Sequence, residues 1–198
     1  MKPASHSIRF SNLKLMAKSP AHYKCALETE QPDTATFRNG RLAHRLLLNI
    51  GPELIVWEGR RQGKLWEGFK EEHEGAEIVS RKEYDNAEAM RLSFNATPEA
   101  VELSRGPKET TLRWKRADRQ CQGTPDVILP GVGIVDLKTC DDASIFRFPN
   151  VAIRYGYHAQ LSWYLDGATS SHLDCENRTA RSRYRKHLAR FRQNVPAT

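Results

Sequence analysis

The chain has 198 residues, enough for one domain with a real core and short for two, and its 39% hydrophobic and 28% charged residues are ordinary for a soluble globular protein. Its net charge of +7 is concentrated at the end: residues 171–198 carry seven Lys/Arg against two acidic residues, leaving 24 basic and 22 acidic residues in the first 170. No apolar run approaches the roughly 18 residues that span a bilayer, and Met1–His6 lacks the apolar stretch of a signal peptide, so a cytoplasmic protein with no membrane partner is the expectation.

Ser19-Pro20 reads as an N-cap with proline at the first helical position, opening a helix through Tyr23 and Leu27. A second helix is predicted from about Thr36 to Asn49, stopping near Gly51-Pro52, and a third from Gly63 to His73, ending at Gly75. Ser80-Arg81-Lys82-Glu83 matches a capping box, and Tyr84, Ala87, Met90 and Phe94 recur behind it at helical spacing. Thr97-Pro98 starts a short helix that ends by Gly106. From Glu109 the character changes. Thr110–Trp114, Thr124–Leu129 and Gly131–Thr139, the last coming after a Pro130-Gly131 turn, form a predicted three-strand meander. Asp142 can cap the next element, and Tyr155 to Asp166 reads as one amphipathic helix ending at Gly167. The fold class expected is α/β (α+β): a helical N-terminal half, then a small mixed sheet with a central meander flanked by helices. Residues 1–170 are read as a single domain and 171–198 as a basic tail.

The four cysteines, Cys25, Cys121, Cys140 and Cys175, form no C-x-x-C pair and read as buried thiols rather than disulfides or zinc ligands. The basic tail can attract phosphate, but the nearly neutral body means that charge alone does not establish a nucleic-acid partner.

Asp136 and Lys138 sit two apart, so on a strand both project from one face, with Leu137 pointing into the core. The hairpin geometry can bring Asp126, on the preceding strand, beside Asp136. Two crowded carboxylates repel one another, and a divalent cation relieves that repulsion. Oxygen donors favour magnesium, with manganese substituting, over zinc. A neighbouring lysine can hold the attacking water or stabilise charge on a phosphate, which is the equipment for phosphodiester hydrolysis. Alone, an Asp-x-Lys pair is more often a surface ion pair; here the Gly133-Ile134-Val135 run before it marks a buried strand.

Gly123-Thr124-Pro125-Asp126 and then Val135-Asp136-Leu137-Lys138-Thr139 resemble the PD-(D/E)xK nuclease signature. The wider pattern resembles the exodeoxyribonuclease VIII (RecE-type) nuclease domain of phages and prophages, over roughly residues 8 to 168. Gly40–His44 before Leu46-Leu47-Leu48, Arg60–Trp66, Lys108-Glu109 with Trp114, Asp141–Ser144, and Tyr157–Gln160 with Tyr164 carry the likeness in order. The resemblance implies a restriction-endonuclease-like core and a metal-dependent exonuclease acting on double-stranded DNA ends in recombination. It further implies a single-strand annealing protein as partner and a homo-oligomer.

By matching position, Asp126, Asp136, His44 and the backbone carbonyl of Leu137 would ligate the metal, and Lys138 would be the catalytic lysine. Glu109 matches the acidic residue that opens the motif's first strand, and Gln160 and Tyr157 match the helix motif that orients DNA phosphate, with Tyr164 on the same face. These residues also have ordinary structural readings: His44 as a core histidine on a leucine-rich helix, Glu109 as a surface partner of Lys108 or Arg113, and the Tyr157, Gln160 and Tyr164 stripe as core packing, though a buried glutamine in it wants a polar partner. Beyond Gly167 the likeness stops, so the tail reads either as a DNA-binding appendage or as the product of a truncated gene. Two rival readings remain: an iron–sulfur nuclease of the RecB or Cas4 kind, disfavoured by the dispersed cysteines, and an inactive or DNA-binding protein keeping the fold.

Overall fold

The computed structural model describes residues 7–29 and 33–170; the basic tail expected at 171–198 and Cys175 lie outside them. The chain divides into two compact units, Met1–Gln31 with Leu103–Thr198, and Pro32–Glu102.

The first unit begins with β1 (Ile8–Arg9), α1 (Phe10–Leu13), a 3-10 turn (Lys14–Ala17) and α2 (Pro20–Glu28). As the sequence predicts, Ser19 caps α2, its side chain accepting from the His22 N–H, with Pro20 at the first helical position.

In the second unit, α3 (Ala35–Leu48) starts at Thr34, whose side chain accepts from the Phe37 N–H, and stops at Asn49, which is left-handed at φ 52°. Next come β2 (Leu54–Trp57), α4 (Lys64–Glu72), β3 (Glu77–Ser80), α5 (Arg81–Asn95) and α6 (Pro98–Leu103). β2 and β3 pair in parallel, Leu54 with Glu77 through Trp57 with Ser80, joined through α4. The expectation of a purely helical first half is therefore corrected: Leu54-Ile55-Val56-Trp57 is too short a run to show a period, and its partner lies about twenty residues on. Both halves of the Ser80–Glu83 capping box form at the start of α5. Leu42, Val79 and Ala87 make the core of this unit, with Leu46, Leu54, Val56 and Tyr84 packed around them.

The remainder of the first unit comprises β4 (Leu112–Arg116), β5 (Arg119–Gly123), β6 (Val127–Leu129), β7 (Gly133–Val135), α7 (Phe148–Tyr155) and α8 (Tyr157–Ser170). The predicted meander is corrected to two hairpins. β4 and β5 are antiparallel across Ala117 and Asp118, both left-handed (φ 46° and 58°), as a primed two-residue turn requires. β1 adds to β5 in parallel, giving the order β1-β5-β4. β6 and β7 form a separate antiparallel pair around the Pro130-Gly131 turn. β5 escapes a sequence reading because Arg119-Gln120-Cys121-Gln122-Gly123 offers one apolar side chain, Cys121, and so shows no alternation.

The single helix expected from Tyr155 to Asp166, with Gly167 as its stop, is also corrected. α7 ends at Gly156, left-handed at φ 72°, and α8 begins at Tyr157 and runs through Gly167 to Ser170. Gly167 is a packing glycine: a β-carbon there would stand 2.7 Å from the Trp114 ring. α8 packs on β4 and β5 and reaches β7. Beneath it, Leu112, Trp114 and Cys121 share one sheet face and join Ile128, Trp163 and Tyr164 in the core. The Trp114 and Trp163 rings meet at 4.9 Å, and the Trp163 indole N–H donates to the Gln122 carbonyl at 3.1 Å.

Cys121 is buried as a thiol, and burial pushes its pKa up, whereas Cys25 is exposed and Cys140 half-buried; all three are free. Among the described residues no helix is long and apolar enough to cross a membrane.

Candidate active site

The β6–β7 hairpin sets the site. Its register pairs Val127 with Val135, Ile128 with Ile134 and Leu129 with Gly133, so Asp126 and Asp136 occupy the next opposed positions, just past both strand ends. β7 stops at Val135, and residues 136–140 continue without regular structure, shorter than the expected strand to Thr139. The two-residue spacing still places Asp136 and Lys138 together, as a direct ion pair whose side chains are 6% and 20% exposed. Asp126 is 8% exposed, and its carboxylate accepts a hydrogen bond from the Leu137 backbone N–H. Leu137 itself is half-buried. Both acids are thus held almost out of solvent, where unbalanced negative charge is costly.

α8 covers this cluster. Lys138 Nζ lies 5.1 Å from the Tyr157 ring centroid, and the Gln160 amide donates to the Tyr164 hydroxyl at 2.7 Å. Tyr157, Gln160 and Tyr164 lie on one stripe of the helix, as the spacing predicts. The Tyr164 phenol is pushed up to about 12, first by burial and then by the charge of Asp136, with Asp126 adding to it and the Gln160 bond partly opposing. Both carboxylates therefore act on the same phenol. Burial also raises the Tyr157 phenol, with Tyr155, Cys140 and Asp136 contributing.

Glu109 is placed differently. β4 begins only at Leu112, so Glu109 does not open the strand; it is exposed, left-handed at φ 47°, and its backbone N–H donates to the Asp126 carbonyl at 3.0 Å. Its backbone, rather than its carboxylate, is what joins it to the hairpin. His44 stands half-buried on α3, in the unit Pro32–Glu102. His22 is exposed and bonded to Ser19, His73 bonds the Phe69 carbonyl, and His158 is exposed.

Residues 9–176 match the sequence profile of a PDDEXK-like domain of unknown function, DUF3799. The chain belongs to that family. Its fold is also that of a crystal structure of a protein from Eubacterium rectale provisionally described as an exonuclease, at 14% identity and a TM-score of 0.57, covering 97% of this chain and 79% of that one. None of the curated proteins matches.

Pro125-Asp126 and Asp136-Leu137-Lys138 both lie inside the matched residues. Among the described residues no three His, Cys, Asp or Glu side chains gather into a group that could hold a metal ion. The side chains that the hairpin offers are two carboxylates. That donor set suits a hard cation such as magnesium, which takes one or two carboxylates and keeps much of its water, and is poorly suited to zinc.

One feature of the site is not legible in the sequence. The Leu137 N–H ties the segment between Asp136 and Lys138 back to Asp126, and no residue type marks a backbone donor.

Proposed function

We propose that this chain is a magnesium-dependent deoxyribonuclease, and specifically an exonuclease of the RecE type that hydrolyses phosphodiesters at double-stranded DNA ends. The observation that carries the reading is the convergence of Asp126, Asp136 and Lys138 at the end of one hairpin in a PDDEXK-like domain. The fold likeness to a protein described as an exonuclease supports it.

In this reading Asp126, Asp136 and the Leu137 carbonyl hold the magnesium ion, and manganese substitutes. The resemblance assigns His44 a metal-ligand role, which a loss of manganese affinity in His44→Ala would support. The bound ion supplies Lewis-acid polarisation of the scissile phosphate and makes a water more acidic. Lys138 places an ammonium beside the reacting phosphate, where it stabilises developing negative charge or holds the attacking water. Tyr157 and Gln160 on α8 orient the DNA phosphate, the buried Tyr164 hydroxyl holds Gln160 in place, and Glu109 positions the hairpin from the preceding segment. The near-complete burial of both carboxylates keeps bulk water from screening these charges. A cytoplasmic protein acting in phage or prophage recombination, with a single-strand annealing protein as partner and a homo-oligomeric assembly, completes the proposal.

The test is incubation of the purified chain with linear and circular duplex DNA, with and without magnesium, beside Asp136→Asn. Magnesium-dependent loss of the linear form alone, abolished by the substitution, is the expected result. Equal activity in both proteins removes this site from the mechanism, and cutting of closed circles removes the exonuclease assignment.

A further inference from the structure

α7 and the turn before it present an unusual amount of apolar surface to solvent: Ile145 is 76% exposed, Phe146 80%, Ile153 68% and Tyr155 51%. Such side chains scattered singly are ordinary, but gathered on one element they mark an interaction surface. The turn is held in place. The Asp142 carboxylate accepts from the Ser144 N–H at 2.8 Å, and the Ser144 carbonyl accepts from the Arg147 and Phe148 N–H groups at 3.2 and 2.9 Å.

The aromatic side chains of this segment form a row. Tyr155 stacks on Tyr157 with centroids 5.9 Å apart and planes 18° from parallel, and Phe148 lies 6.4 Å from Tyr157. Tyr157 in turn packs under the Lys138 ammonium. The row therefore begins in solvent at Tyr155 and ends at the lysine of the hairpin. Arg154 lies 5.8 Å from the Tyr155 ring, Arg147 is exposed at the other end of α7, and no acidic residue falls between Ile145 and Tyr157.

Arg147 pairs at 3.8 Å with Asp142, which leaves Arg154 as the cation beside the rings. An exposed aromatic row with such a cation suits one class of ligand above others: unpaired bases, which stack on rings while a phosphate meets the guanidinium. A paired duplex hides its base faces and would use only the cation. A second protein copy would cover the apolar side chains but would not account for a stacked row leading to Lys138. We propose that Tyr155, with Arg154 and the Ile145–Phe146 turn, receives unpaired bases of the DNA strand and delivers that strand to Lys138 as a single strand. The inference rests on the nuclease reading above and adds the form in which the substrate enters.

The experiment is fluorescence anisotropy on the full chain in EDTA, with a labelled oligothymidylate and a labelled blunt duplex of the same length. Tyr155→Ala weakens binding of the single strand by about tenfold, the loss expected for one stacked base, and leaves the duplex nearly unchanged. Tyr155→Phe, which keeps the ring, binds as the parent does. The proposal is overturned if the parent chain does not bind the single strand, if Tyr155→Ala binds it equally well, or if single strand and duplex weaken together. It is also overturned if Tyr155→Ala dissociates an oligomer in gel filtration while DNA binding holds, since the surface then belongs to a second copy. Binding is read without metal, so the two readings fail separately: an uncut substrate with a Tyr155 effect removes the nuclease, and cutting without a Tyr155 effect removes the platform.

Discussion

The Asp126 carboxylate, buried at the end of the hairpin, accepts from the backbone N–H of Leu137, the residue that separates Asp136 from Lys138. One side chain thus fixes the path of the segment that bears the other two. Asp126→Ala leaves that N–H without this acceptor and is expected to cost about 1–3 kcal/mol of stability in addition to activity. Asp126→Asn keeps an acceptor oxygen, so it should melt near the parent temperature while losing cleavage. Paired thermal melts and DNA-cleavage assays check both. A large destabilisation by Asn would show that the carboxylate charge, rather than the hydrogen bond, holds the segment.

Lys138 pairs with Asp136 at a site where the carboxylate is almost closed to solvent. Removing the ammonium by Lys138→Ala is expected to lower the cleavage rate by about a hundredfold or more, the scale for losing one group that stabilises charge in the transition state. It should also destabilise the fold by about 1–3 kcal/mol, less than for a fully buried pair because the lysine is partly open. Manganese affinity, measured by calorimetry, should survive this change and be lost in Asp136→Asn. Retained affinity in Asp136→Asn would take that residue out of the ligand set.

A third expectation concerns acid. Burial alone would raise the Glu83 carboxyl, but the Ser80 backbone N–H and hydroxyl, together with Arg61, outweigh it and hold it at about 2, against an ordinary value of 4.5. A carboxyl depressed in the folded state binds its proton more readily when unfolded, so its contribution is present above about 4.5 and drains away as pH falls toward about 2. Melting temperature monitored from about pH 6 down to about 2 should fall in that window for the parent and fall less steeply for Glu83→Gln. Ser80→Ala, which removes half of the capping box, should cost about 1 kcal/mol at neutral pH. A Glu83→Gln curve parallel to the parent's would exclude this group.

Local chemistry makes the helix starts readable. Ser19-Pro20 and Ser80 with Glu83 signal through atoms a few residues apart, and the structure uses both. The opposition of Asp126 and Asp136 is legible for the same reason, because a short turn fixes the register of the strands it joins. The hidden elements depend on distant partners. β1 has two residues and exists only because β5 accepts it; β2 waits for β3; β5 is polar and is set by Trp114 and α8. Gly156 and Gly167 illustrate the limit most directly. A glycine after an amphipathic stretch reads as a helix stop, yet Gly167 packs against Trp114 inside α8, while the actual interruption falls at Gly156. Tyr155 therefore closes α7 instead of opening the last helix, a distinction that no local pattern carries.

A fourth expectation concerns packing. A β-carbon at Gly123 on β5 would stand 2.6 Å from the Tyr164 ring, so Gly123→Ala should destabilise by about 1–3 kcal/mol through overpacking. Thermal melts of Gly123→Ala, alone and combined with Tyr164→Leu, check this. The second change should recover part of the loss, and a double variant worse than the single would mean that the ring is not what the new methyl meets.

Because Tyr164 both fills the notch above Gly123 and carries a phenol on which burial and the charges of Asp136 and Asp126 act together, the gap between helix and sheet and the polarity of the hairpin's end are a single adjustable quantity. A descendant of this chain cannot thicken the strand at position 123 without also redrawing the ceiling over its acids. Lineages that keep an aromatic hydroxyl at 164 should therefore inherit a bare backbone at 123 along with it.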